Sequence, residues 1–119
     1  KVDEIVAACK VVGELVIKAK TVYKEKQFLM QENYDKLVKN SDNKTKVVVQ
    51  GVIDLVIEMD GDAILIDYKT NKTTNAELLK NEYALQLDIY KRAFELATGI
   101  KITKKYIYSF YQKKLIEVS

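Results

Sequence analysis

The chain has 119 residues, room for one domain around a single core and too few for a second domain of typical size or a helicase motor. Hydrophobic residues at 48% and charged residues at 31%, spread along the whole length, exclude global disorder, and no run approaches the roughly 18 apolar residues of a bilayer span. Twenty basic against seventeen acidic residues give a net charge of +3, which permits a polyanionic partner without arguing for one.

The chain begins at Lys1 rather than Met, and we read it as a segment of a longer polypeptide. Residues 3–19 carry Ile5, Val6, Cys9, Val12, Leu15, Val16 and Ala19 at the spacing of an amphipathic helix. Residues 21–34, with Val22, Tyr23, Phe28, Leu29 and Met30, suit a first strand. Residues 39–46 hold no apolar side chain and have the Asn, Ser and Asp content of a hairpin loop. Residues 47–59 and 63–70 are β-type runs separated by Asp60-Gly61-Asp62, a strong hairpin signal that makes them antiparallel neighbours. Thr74 and Glu77 fit a capping box for a helix that runs to Thr98, with apolar residues at Leu78, Leu79, Leu85, Ile89, Ala93, Leu96 and Ala97 and with Gly99 as its stop. Residues 102–118 read as one long strand or a hairpin. The order is helix, three strands, helix, strand.

The absence of His and the single Cys9 exclude an internal disulfide, the nitrogen and sulfur ligand sets of zinc, and His-dependent nucleophile triads. Any metal must be held by oxygen. Period-two alternation places Val52, Asp54 and Val56 on one face of their strand and Ile53, Leu55 and Ile57 on the other. In the next strand Ala63, Leu65, Asp67 and Lys69 share a face opposite Ile64, Ile66 and Tyr68. A carboxylate and an ammonium thus project from a strand otherwise built for burial, where unpaired charges are expensive. If the hairpin register brings Asp54 to Asp67, the two acids form an oxygen site for a hard divalent cation beside Lys69. A structural Asp–Lys ion pair at a strand end fits the same pattern.

The Asp-x-Lys tripeptide alone is weak, because eight Asp and nineteen Lys give about one match by chance. Asp42-Asn43-Lys44 is such a match, in a polar loop with no strand to aim it. Asp67-Tyr68-Lys69 differs in context: an apolar strand before it, an acid one hairpin away and a helix after it. On that helix Gln86 and Tyr90 share a face with Leu79, Ala93 and Ala97. A buried amide at Gln86 either ties the helix to the sheet or reaches a ligand.

Gly51-Val52-Ile53-Asp54-Leu55-Val56, Ile64-Leu65-Ile66-Asp67-Tyr68-Lys69-Thr70 and Gln86-Leu87-Asp88-Ile89-Tyr90 resemble the successive motifs of the RecB-type nucleases of the PD-(D/E)XK superfamily. Among these they look most like the C-terminal nuclease domains of AddA-type helicase-nucleases. The likeness extends over nearly the whole chain, with Tyr23-Lys24-Glu25-Lys26-Gln27-Phe28 resembling the opening of the first strand and Lys105 to Phe110 the closing strand. It implies an α/β fold with a restriction-endonuclease-like core, a central mixed β-sheet flanked by helices. Residues 1–119 then form a single nuclease domain at the C-terminal end of a larger helicase-nuclease.

The resemblance further implies a metal-dependent deoxyribonuclease, an exonuclease that processes DNA ends in recombinational double-strand-break repair in the cytoplasm. Asp54 and Asp67 would be ligands of Mg²⁺ or Mn²⁺, together with the backbone carbonyl of Tyr68. Lys69 would position or deprotonate the attacking water, Gln86 and Tyr90 would orient Lys69 or touch the DNA backbone, and Glu25 would add an outer ligand or a water contact. Lys18, Lys20, Lys24, Lys72, Lys104 and Lys105 are candidate phosphate contacts, or a solvated lysine surface. The implied partners are DNA, a helicase domain upstream in the same polypeptide and an AddB-like subunit, with no membrane. The sequence departs from the family by lacking the metal-binding His that usually precedes the first strand. Either the His lies upstream of Lys1, or this lineage has replaced it, or the site binds metal poorly; the last supports an alternative, a catalytically impaired PD-(D/E)XK domain acting as a DNA-binding or subunit-docking module. A stand-alone nuclease of the superfamily is a further alternative.

Overall fold

The computed structural model describes residues 12, 13, 17, 19–38 and 41–119. Five strands form one sheet in chain order: β1 (Thr21–Asn33), β2 (Lys46–Glu58), β3 (Ala63–Lys69), β4 (Ile102–Ser109) and β5 (Lys114–Val118). The β1–β2, β2–β3 and β4–β5 pairs are antiparallel and β3–β4 is parallel, the mixed sheet that the sequence implies. A short helix, α1 (Tyr34–Leu37), follows β1, and a long one, α2 (Ala76–Thr98), makes the crossover from β3 to β4. Most of the helix anticipated over 3–19 lies outside the described residues. Val12 is helical and buried, and packs with Leu55, Ile57, Ile66 and Tyr108 on the sheet face opposite α2.

The Asp60-Gly61 turn is as tight as its sequence demands. Met59 and Asp62 exchange backbone hydrogen bonds across it, and Gly61 takes φ +75°, a conformation that L side chains adopt only at a cost. This closure sets the register in which Leu55 faces Ile66 and Ile57 faces Ile64. Residues 102–118 resolve into a hairpin, turned where the Lys113 N–H donates to the Ser109 carbonyl at 2.8 Å and the Gln112 N–H to Ser109 Oγ at 3.0 Å. The four-residue α1 was not foreseen, since the apolar content of 21–34 runs into it without a break.

Helix α2 starts one residue later than the Thr74–Glu77 box implies: Asn75 is the cap, its Oδ1 accepting the Leu78 N–H at 3.1 Å, and Asn caps as well as Thr. Its buried face is Leu79, Leu87, Ala93 and Phe94, while Leu78, Leu85 and Leu96 are exposed. Apolar residues occur around most of the helix, so spacing alone did not single out the stripe. The Gly99 stop is observed, at φ +76°, with its N–H donating to the Glu95 carbonyl at 2.8 Å.

The α2 stripe packs on Ile53, Val56, Ala63, Leu65, Ile102 and Ile107. Edge-to-face ring pairs, Tyr23–Phe94 at 5.1 Å and Phe28–Tyr90 at 5.5 Å, fasten β1 to the helix. The Arg92 guanidinium bonds Glu32 with Nε at 2.7 Å and holds that carboxyl below its ordinary range. Leu87→Ala should lower unfolding free energy by about 3 kcal/mol, against less than about 0.5 kcal/mol for Leu85→Ala, in matched urea titrations.

Candidate active site

The site lies where β2, the C-terminal end of β3 and one face of α2 meet. Such a position is typical of ligand sites in α/β sheets, because a strand that ends beside a crossover helix leaves its last side chains at the mouth of a crevice. In β3 the alternation holds as read: Ala63 and Leu65 face α2, Ile64, Ile66 and Tyr68 the opposite side. Asp67 and Lys69 therefore point toward α2 beyond an apolar strand.

In β2 the alternation slips at Asp54. Ile53 and Val56 share the α2 face, and Leu55 and Ile57 lie on the other, so the expected grouping of Val52, Asp54 and Val56 does not hold. The cause is visible in the pairing with β1. Lys24 pairs Leu55 and Lys26 pairs Ile53, but the intervening Glu25 and Asp54 do not pair. Glu25 stands at φ +49°, a left-handed conformation in mid-strand. The same turn of the chain puts Tyr23 and Phe28, five residues apart, on one face.

Freed from the ladder, Asp54 uses its side chain in place of a backbone pair: Oδ2 accepts the Tyr68 N–H at 2.8 Å. That bond carries Asp54 to the Asp67–Lys69 end of β3. Asp67 is 3% exposed. Its Oδ2 lies 3.0 Å from Lys69 Nζ, an ion contact off ideal hydrogen-bond alignment, and among the described residues no other donor reaches that atom. Burial pushes the Asp67 carboxyl up to about 6, the neighbouring Asp54 carboxyl acts in the same direction, and the Lys69 ammonium opposes both.

Helix α2 supplies the other wall. Lys69 Nζ donates to Gln86 Oε1 at 2.9 Å, and Gln86 Nε2 donates to the Tyr90 hydroxyl at 3.1 Å, so the amide is satisfied at both ends. Burial, reinforced by the Asp67 charge, raises the Tyr90 phenol above its ordinary value. Beside these two residues a groove of about 400 Å³ runs between α2 and the β1–β2 hairpin, lined by Phe28, Val49, Leu85 and Ile89 among others.

The structure thus brings together Asp54, Asp67, Lys69, Gln86 and Tyr90. Glu25 lies opposite Asp54 in register but is exposed, and among the described residues no cluster of three or more His, Cys, Asp or Glu is suited to a metal. The donor set is two carboxylates, one of them buried with the Lys69 ammonium as the close donor to its Oδ2, which fits a hard cation completed by water and phosphate. Of the lysines proposed for phosphate, Lys105 is committed to an ion pair with Asp88. Lys20, Lys24, Lys72 and Lys104 are exposed, and Lys18 lies outside the described residues. The sequence reading missed Tyr83, whose ring lies 4.1 Å from Lys69 Nζ. Its signal was available, since it stands one helical turn before Gln86 on the same face.

A sequence model of the PD-(D/E)XK nuclease superfamily matches residues 6–115, and the chain belongs to that superfamily. It is 35% identical over 112 residues to AddA, the ATP-dependent helicase/nuclease subunit of Clostridium kluyveri, and 35% identical over 113 residues to the protein of the same name from Clostridium acetobutylicum. The alignments cover 91% and 90% of this chain and 9% of each relative, so the chain spans about a tenth of their length. The crystal structure of SSO0001 superposes with a TM-score of 0.55 at 16% identity, covering 98% of this chain and 46% of that one, a likeness of fold.

The Asp67 environment carries a pH signature. A carboxyl raised from 3.8 to about 6 binds its proton more tightly in the folded chain than in the unfolded one. Its contribution therefore favours the fold at acid pH and is lost as pH rises through about 6. In chelator at pH ~7.5, Asp67→Asn should raise the melting temperature by about 5 °C. The gain should fade as pH approaches ~4, in thermal melts of both proteins.

Proposed function

We propose that this domain is a metal-dependent deoxyribonuclease that hydrolyses phosphodiester bonds. The observation that carries the reading is the buried carboxylate of Asp67, set between the Asp54 carboxylate and the Lys69 ammonium. A purely structural ion pair needs no second acid beside it. Two acids that repel one another are well suited to a divalent cation.

Asp54 and Asp67 hold Mg²⁺ or Mn²⁺ in this reading. The Tyr68 carbonyl joins them, because in an extended strand the N–H and C=O of one residue point to the same neighbour and the Tyr68 N–H is already bonded to Asp54. When bound, the ion supplies a Lewis acid that draws charge from the phosphate and acidifies a water molecule. Lys69 presents its ammonium to the phosphate oxygens, offsetting the charge that develops as the P–O bond breaks, and helps to position the attacking water. Gln86, braced by Tyr90, fixes the direction of that ammonium. Glu25 has the lesser part of an outer, water-mediated contact.

The relatives' designation as helicase/nuclease subunits supports the wider proposal. The domain acts as an exonuclease on DNA ends during recombinational break repair, in the cytoplasm, at the C-terminal end of a polypeptide with a helicase upstream and an AddB-like partner. No described helix is long and apolar enough to cross a membrane. The lack of His favours the second reading, a DNA-binding or docking module with an impaired site.

Cleavage of single- and double-stranded DNA in Mg²⁺ and in Mn²⁺, with metal binding followed by calorimetry, separates the readings. The nuclease reading expects cleavage that Lys69→Ala lowers about 10²- to 10³-fold and that Asp67→Ala removes together with metal binding. Metal binding that depends on Asp67 but supports no cleavage would point to a site completed by sequence upstream of Lys1. No metal binding at all would overturn the nuclease reading.

A further inference from the structure

Lys69 is held on three sides. Asp67 Oδ2 lies at 3.0 Å, Gln86 Oε1 accepts at 2.9 Å, and the face of the Tyr83 ring is 4.1 Å from Nζ. A lysine ammonium on its four-carbon stem has many rotamers, so an unsupported one spends little time in any single position. The three contacts differ in what happens when the site is in use. The Asp67 carboxylate, on the reading above, turns its charge to the divalent cation and no longer belongs to Lys69 alone. The two holds on α2 do not depend on the cation. Of these, Gln86 supplies one acceptor, and the ring of Tyr83 supplies an electron-rich face that attracts the ammonium without occupying a hydrogen-bond direction.

Tyr83 is itself fixed. Its hydroxyl donates to Asn71 Oδ1 at 3.1 Å, tying the ring to the loop that leaves β3 just after Lys69. That loop is braced in turn: the Thr73 N–H donates to the Asn71 carbonyl at 3.0 Å, and Gln112 Nε2 donates to the Thr73 carbonyl at 2.9 Å from the β4–β5 turn. The backbone below Lys69 is pinned as well, its carbonyl accepting the Phe110 N–H at 3.0 Å. Ring, loop and backbone thus converge on one side chain.

We propose that Tyr83 is a positioning residue for the nuclease reaction, its ring forming the metal-independent seat that aims the Lys69 ammonium at the phosphate. The proposal rests on the nuclease reading of the site, and its test keeps the two apart. The first readout needs no activity: in NMR spectra of the protein, the Lys69 ε-methylene protons are shifted upfield by the ring current of Tyr83, stay shifted in Tyr83→Phe, and lose the shift in Tyr83→Leu. The second is kinetic. Tyr83→Leu lowers kcat roughly tenfold with KM for DNA unchanged, whereas Tyr83→Phe stays within about threefold of the parent. Phenylalanine analogues of increasing ring fluorination at this position keep the packing volume and lower kcat stepwise, which a merely structural ring would not do. An unshifted Lys69 in the parent protein, or Tyr83→Leu cleaving at the parent rate, overturns the proposal alone. A shifted Lys69 in a parent protein that neither binds Mg²⁺ or Mn²⁺ nor cleaves DNA overturns the nuclease reading and, with it, the catalytic use of the seat.

Discussion

The antiparallel pairing of β2 with β3 is the constraint on which the site depends. A turn closed by Gly61 in a left-handed conformation leaves little freedom in how the two strands align, and the alignment sets Leu55 against Ile66. One step further along, the ladder gives way to a side chain: Asp54 reaches the Tyr68 N–H. A slip of one residue would turn Asp67 and Lys69 to the opposite face of the sheet and leave α2 packing on the wrong side chains. The crossover helix then completes the arrangement, because the stripe that buries Leu87 and Phe94 also carries Gln86 and Tyr90 to Lys69.

The polar groups at this junction are held by apolar mass. Asp67 follows Leu65 on a face packed by Leu79, Leu87 and Phe94, and it is that burial, more than any neighbouring charge, that resists its ionisation. The same surroundings lower the local dielectric, which strengthens whatever attraction the carboxylates exert on a cation. Stability and affinity therefore pull on this residue in opposite directions. Sites that keep such a conflict are common where function needs a charge that folding alone would discard.

Much of this was legible in the sequence, and the reasons for the rest are local. The Asp-Gly turn, the Gly99 stop and the alternation of Ile64 to Lys69 each reflect a single strong rule, and each appears as read. The face of α2 was harder, because Leu78, Leu85 and Leu96 satisfy helical spacing as well as Leu87 and Phe94 do, and only the sheet decides which row it accepts. The slip at Asp54 was out of reach, since period two presumes an unbroken ladder and nothing in Gly51 to Val56 announces a missing pair. The left-handed backbone of Glu25 gives no sign in the side-chain pattern. Tyr83 is hard to single out, because an aromatic on a half-buried stripe reads as packing until a strand lysine is seen against its ring.

The skipped pair between Glu25 and Asp54 bears on how this segment tolerates change. Before the interruption in β2 the positions that face the helix are odd, Ile53 and Gly51, where an added Cβ would meet Phe28 and Tyr90; after it they are even, such as Val56. Random variation in this hairpin should therefore leave an imprint with two phases, joined at the acid. A lineage that restored the missing pair would regain a regular strand at the expense of the half-turn that swings its carboxylate toward β3, so the irregularity itself, and not only the aspartate within it, is what selection for the site would have to preserve.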